Sequence, residues 1–181
     1  MKLAISINYS IVWLLCILGA KQQQLMPYID SAVIINCIQL IILLKKDAEP
    51  RLLIITLGSL LLIGLVIDLT ATHLNLITFN MQNSAFDIPL WLIMIWFNFA
   101  MFCHVCLRDF YDRWLLMSII GGIGFMSAYN VGARLGAASI HQPLLCAIYY
   151  GLIWGILLPT LFLGFRYIRA RWYLRSLRSH R

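Results

Sequence analysis

The sequence predicts an all-α fold, a polytopic membrane helix bundle of six transmembrane helices with both termini in the cytoplasm. Three observations lead there. The 181 residues are 62% hydrophobic and 12% charged, with a mean hydropathy of +0.85, whereas soluble domains are roughly 45–50% apolar and about 25% charged. Six apolar segments approach the ~20 residues needed to cross ~30 Å of hydrocarbon. Lysine and arginine are divided very unequally between the loops that join those segments.

The spans are expected at about Leu3 to Ala20, Ile29 to Leu44, Leu52 to Thr72, Ile88 to Leu107, Trp114 to Asn130 and Pro143 to Phe165. The third, fourth and sixth are the most continuous. Asn8 and Ser10 interrupt the first, and Asp30, Asn36 and Gln39 interrupt the second. The first segment also has a secretory look, with Lys2, an apolar stretch and a small-residue ending at Gly19 and Ala20. Leu18, at a position that should be small, and polar Asn8 and Ser10 count against cleavage; a cleaved form would keep five spans and the same C-terminal side. No polar stretch is long enough for a separate extramembrane domain, so residues 1–165 read as the bundle and 166–181 as a basic cytoplasmic tail.

Orientation follows from the retention of Lys and Arg on the cytoplasmic side of short loops. With six spans one side receives Lys2, Lys45, Lys46, Arg51, Arg108, Arg113, Arg166, Arg169, Arg171, Arg175, Arg178 and Arg181. The other receives Lys21 and Arg134, and the loop from Ala71 to Asp87 contains neither residue type. This is the pattern of a multi-pass protein of the bacterial inner membrane. The net charge of +7 is concentrated beside a hydrophobic helix, so its partner is expected to be anionic lipid headgroups rather than nucleic acid.

Local signals place the helix ends and contacts. Asp87 followed by Pro89 reads as an N-cap and a first-turn proline. Gly124, Ala128, Gly132 and Gly136 recur every four residues, a small-residue ridge that lets another helix approach, so the fifth helix is expected to run past Asn130 towards Ala138. Arg166, Arg169, Arg171, Arg175, Arg178 and Arg181 alternate with aromatic and leucine residues, which suits an interfacial, lipid-headgroup-binding helix continuing from the sixth span.

One acid, Asp68, lies deep inside a strong apolar run, IGLVIDLTA. A carboxylate in that setting is costly and marks a candidate functional site, with an interhelical structural hydrogen bond as the alternative. At 1.5 Å per residue it stands about 24 Å from Leu52, in the outer part of the bilayer. Gly64, one turn earlier, would let a neighbouring helix pack close to that face. Arg134 is its expected partner, with Asn130 one turn away on the same helix face; a snorkelling arginine is the alternative. Tyr129, Trp91 and His73 fall at similar depth, as pocket walls or as interface anchors. Asn98 is expected to make an interhelical hydrogen bond.

FCHVC places His104 between Cys103 and Cys106, but the histidine points about 100° away from Cys103 and no second ligand cluster exists, so no metal site is assigned. The five cysteines all fall in apolar segments and imply no disulfide framework. HExxH, GxSxG and glycine-rich phosphate loops are absent. No catalytic residue and no cofactor is assigned.

The stretches NYSIVWLLCILGA (Asn8 to Ala20), IGLVIDL (Ile63 to Leu69), DIPLWLIMIWFNFAMFCH (Asp87 to His104) and AYNVGARLGA (Ala128 to Ala137) resemble the bacterial domain-of-unknown-function family 2878, small multispan inner-membrane proteins. Members of that family are encoded near cyclopropane fatty-acyl phospholipid synthases and related lipid-modifying genes, so the resemblance implies a role around membrane lipids. The expected function is therefore a non-enzymatic lipid-associated factor that binds an amphiphile or supports a lipid-modifying enzyme. The alternatives are a small transporter or substrate-capture subunit, a structural membrane subunit, and an undescribed membrane enzyme.

Overall fold

The computed structural model describes residues 1–22, 27–80 and 88–179, with side chains through residue 173. Six helices are long and apolar enough to cross a membrane. They are α1 (Lys2–Gln22), α2 (Tyr28–Lys46), α3 (Pro50–His73), α4 (Leu90–Phe102), α5 (Trp114–Arg134) and α6 (Pro143–Ser179). α4 continues as a π-helical turn, Cys103–Leu107, and a 3-10 turn, Arg108–Phe110. Helices are what such a sequence requires, because hydrocarbon offers no partner for an open backbone group.

α1 packs on α2 and α4, α3 joins that group through α4, and α5 packs along α6. Large apolar side chains such as Ile38, Leu62, Ile123, Leu152 and Ile156 point outward, while Trp154, Tyr150, Phe162 and Leu60 are fully buried. Three of the polar residues that weaken the first two spans, Asn8, Asn36 and Gln39, find one another or a fourth-helix partner; Ser10 turns to the Ser6 carbonyl of its own helix, and Asp30 is exposed. Asn8 Nδ2 donates to Gln39 Oε1 at 3.0 Å, Asn98 Nδ2 donates to Asn36 Oδ1 at 2.6 Å, the interhelical bond expected of Asn98, and Asn36 Nδ2 donates to the Met94 carbonyl at 3.2 Å. A buried amide is stable in lipid only when so paired.

α3 and α5 end in the same way. The Asn75 and Leu76 N–H groups donate to the carbonyls of Thr72 and Ala71, and those of Gly136 and Ala137 to Ala133 and Gly132. Asn75 and Gly136 have positive φ, 53° and 88°. This pair of bonds satisfies the last helical carbonyls and turns the chain out of the helix. Each turn delivers a short strand, β1 (Ile77–Phe79) and β2 (Ala138–Ile140), which pair antiparallel with Thr78 opposite Ser139. Gly136 therefore terminates α5 at Arg134, short of the extension towards Ala138 expected from the small-residue spacing. Pro89, expected in the first turn of α4, stands one residue earlier, at the cap, in extended conformation; Asp87 lies outside the described residues.

At the opposite end, which carries both termini, charged groups tie the loops together. Arg169 Nε donates to Glu49 Oε1 at 2.7 Å. Arg108 lies 3.7 Å from Asp47 and 3.6 Å from Glu49. Lys2 pairs with Asp109. His104 is fully buried with Nε2 at 3.2 Å from Asp47 Oδ2. FCHVC thus runs from the last residue of α4 into the π turn, and its histidine serves this loop clasp.

Candidate functional site

The site grows from Asp68, which is 1% exposed. Three neutral donors from three other helices converge on its carboxylate. Trp96 Nε1 of α4 donates to Oδ2 at 2.7 Å, and the hydroxyls of Tyr129 on α5 and Tyr150 on α6 donate to Oδ1 at 2.5 and 3.0 Å. An ionised carboxylate is an acceptor only, so these donors match it. Gly64 makes the arrangement possible: a Cβ there would overlap the Trp96 ring, which is the close approach expected of that glycine. Tyr129 and Tyr150 stack with centroids 3.6 Å apart, and Trp96 stacks on Trp154 and Phe125.

Trp96 and Tyr129 present their rings to a second feature, a cleft between α1, α4 and α5. It contains about 540 Å³ of empty space counting its open mouth. α1 contributes Tyr9, Trp13 and Ile17; α4 contributes Trp91, Leu92, Ile95, Trp96 and Phe99. α5 contributes Phe125 and Tyr129 with small Ala128, Gly132 and Ala133, and the β hairpin closes one end with Phe79 and Ala138. The Trp91 N–H is taken by the Asn80 carbonyl at 2.9 Å. The wall is overwhelmingly apolar and aromatic.

The structure brings together some of the residues singled out from sequence and separates others. Asp68 meets Tyr129, and Tyr129 and Trp91 both line the cleft beside it. Arg134 does not join them: it is exposed and makes no ion pair among the described residues. Five residues separate it from Tyr129, which is about 140° around a helix, so the turn that aims Tyr129 at Asp68 aims Arg134 away. The same offset separates His73 from Asp68, and His73 is exposed. Asn130 Nδ2 is spent on the Met126 carbonyl of its own helix at 2.8 Å.

The small-residue ridge also takes a different role. A Cβ at Gly124 would meet nothing within 4 Å, while Ala128 and Gly132 give the cleft its width. The close helix contact is made one turn away, where a Cβ on Gly121 would overlap the Trp154 carbonyl and Gly122 faces Gly151 and Gly155. Gly151 and Gly155 form a G-x-x-x-G spacing, the available signal for this crossing. Tyr150, adjacent to it, and Trp96 on α4 are the Asp68 partners that the sequence reading passed over. In the tail Arg166 and Arg171 are exposed, Arg171 lying over the Tyr167 ring at 5.6 Å, whereas Arg169 is engaged by Glu49. The side chains of Arg175, Arg178 and Arg181 lie outside the described residues.

Six apolar helices, a carboxylate buried among neutral donors and an open aromatic cleft beside it define a multi-pass membrane helix bundle. Within that class the chain belongs to the DUF2878 family, whose model, described as a protein of unknown function, matches residues 2–160. No curated protein and no solved structure matches the chain.

Proposed function

We propose that the protein is a non-enzymatic, lipid-associated factor of the bacterial inner membrane that holds a hydrocarbon chain of a membrane lipid in the cleft between α1, α4 and α5. The observation that carries this reading is the cleft's wall: tryptophan, tyrosine and phenylalanine rings from all three helices, with the small Ala128, Gly132 and Ala133 of α5 among them. An apolar cavity within membrane-spanning helices has lipid as its nearest available occupant. Both termini are assigned to the cytoplasm and the hairpin end to the periplasm, because the basic residues gather at the end that carries the termini. Lys21, whose side chain lies against Gly136, stands one turn beyond Gly132 and is available to an anionic headgroup.

The test is native mass spectrometry of the protein purified in mild detergent. We expect a retained phospholipid, and its loss in Ala128→Phe, which fills the cleft, with the melting temperature kept. Protein that leaves its native membrane free of lipid would overturn the reading. A co-purifying protein in place of lipid would point to a structural or enzyme-supporting subunit. In a deletion strain, an unchanged lipidome together with an altered uptake phenotype would favour the transporter or substrate-capture alternative.

A further inference from the structure

We propose that the cleft takes a lipid quinone, whose flat ring lies against Trp13 and whose carbonyl oxygens are served by the donors of Trp13 and Tyr9. The inference rests on the cleft being a lipid site and names the class of lipid that fits it best: a phospholipid chain fills the cleft, and a quinone displaces it. Two independent observations on α1 carry it.

The first is a pair of idle donors. Five side chains lining the cleft carry an N–H or O–H on an aromatic ring. The protein uses three of them: the Trp91 N–H donates to the Asn80 carbonyl, and the Trp96 N–H and Tyr129 hydroxyl donate to Asp68. The Tyr9 hydroxyl and the Trp13 N–H, one turn apart on α1, have no partner among the described residues. Hydrocarbon supplies no acceptor, so each idle donor is costly until a ligand brings one. Depth decides which ligand can. Along α1, which begins at Lys2, Tyr9 stands ~10 Å and Trp13 ~16 Å from that residue. Both levels lie inside the hydrocarbon core of about 30 Å, away from the phosphate and ester oxygens that a phospholipid keeps at its edges.

The second observation is an idle ring face. Of the eight aromatic side chains around the cleft, seven are joined in one series of ring contacts from Tyr9 to Trp91. Trp13 alone touches no other ring among the described residues. One turn beyond it α1 and α5 converge, where a Cβ on Gly132 would stand 3.5 Å from Ile17, and α5 lines the cleft with the small Ala128, Gly132 and Ala133. A flat ring fits beside such residues, and stacking on Trp13 adds to what its buried area contributes. A quinone meets all of these demands together: a flat uncharged ring, carbonyls that accept and do not donate, and a hydrocarbon tail.

The experiment titrates the protein in phosphatidylglycerol nanodiscs with a trimethyl-decyl-benzoquinone, whose fully substituted ring does not add to thiols, or with the trimethyl-decyl-benzene that lacks only the two carbonyls. Native mass spectrometry reads the bound fraction. Wild-type protein should bind the quinone roughly tenfold more tightly than the hydrocarbon, the net effect of two hydrogen bonds. The double variant Tyr9→Phe/Trp13→Phe keeps both rings and breaks no bond within the protein, so it should fold normally and bind the two compounds equally. Trp13→Leu should weaken both, because the ring face is gone. Equal affinity in wild-type protein, a quinone preference that survives in the double variant, or undiminished binding in Trp13→Leu would each overturn the proposal. A phospholipid retained by wild-type protein and expelled by Ala128→Phe, with neither compound bound, overturns the quinone alone; loss of the phospholipid as well overturns the lipid reading of the cleft.

Discussion

Asp68 was visible in the sequence as a charge that an apolar run should not contain, and its need for buried hydrogen-bond partners could be read from that alone. The identity of those partners could not. Opposite charge suggested Arg134, but the carboxylate is satisfied by three neutral donors, among them the hydroxyl of Tyr129, read from sequence as a pocket wall or an interface anchor, and that of Tyr150, which the sequence reading did not single out. The structure therefore predicts that a double-mutant cycle between Asp68→Asn and Arg134→Gln will be additive within about 0.5 kcal/mol, as for residues with no shared partner. Chemical or thermal unfolding in detergent measures it; a coupling of several kcal/mol would mean that the two side chains meet. Between Asp68→Leu and Tyr150→Phe, by contrast, we expect a coupling of roughly 0.5–3 kcal/mol, because both changes remove the same 3.0 Å bond. His104 offers a second contrast. FCHVC resembles a ligand cluster on paper, yet the histidine is buried against Asp47, and His104→Leu should destabilise the protein by leaving Oδ2 of a 3% exposed carboxylate without its partner, with only the Glu49 N–H and Arg108 on Oδ1 to offset the charge.

At the scale of helices, the number of spans was legible because length and hydropathy decide it, and even the polar interruptions of α1 and α2 prove consistent with spanning once Asn8, Asn36 and Gln39 are paired. Contacts between helices were less legible. Spacing by four marked Gly124, Ala128, Gly132 and Gly136 as one ridge, but a four-residue repeat drifts around a helix of 3.6 residues per turn, and its members face open space, the cleft and a helix end in turn. Glycine at a helix terminus has the same letter as glycine at a crossing, and φ of 88° at Gly136 separates them. Two substitutions distinguish the roles. Gly121→Ala pushes a methyl group into the Trp154 carbonyl and should cost about 1–3 kcal/mol, as overpacking does, whereas Gly124→Ala should be neutral or slightly stabilising, since glycine is the poorer helix former by up to ~1 kcal/mol. Equal melting temperatures for the two variants would show that α5 and α6 do not cross at Gly121.

For the molecule as a whole, reporter fusions after Lys46, Arg113 and Arg181 should report cytoplasm, and fusions near Asn80 and His141 the opposite side; a periplasmic signal at Arg181 would reverse the assignment. Cysteines introduced at Thr78 and Ser139, which face each other across the hairpin, should cross-link readily in intact membranes, and failure to do so would remove the hairpin as the cleft's cover. Nothing in the sequence announced that hairpin, because each strand has only three residues and its partner lies 63 positions away in the chain, Ile77 against Ile140. That separation has a consequence for biogenesis. As the chain leaves the ribosome, α1 to α4 enter the membrane while β1 has no partner, and the strand stays unpaired until the connection between α5 and α6 has been made to meet it. The first four helices therefore stand in the bilayer with Asp68 and the aromatic wall of α1 and α4 uncovered, open to whatever lipid surrounds the insertion site, and the last helical pair closes over them as synthesis finishes.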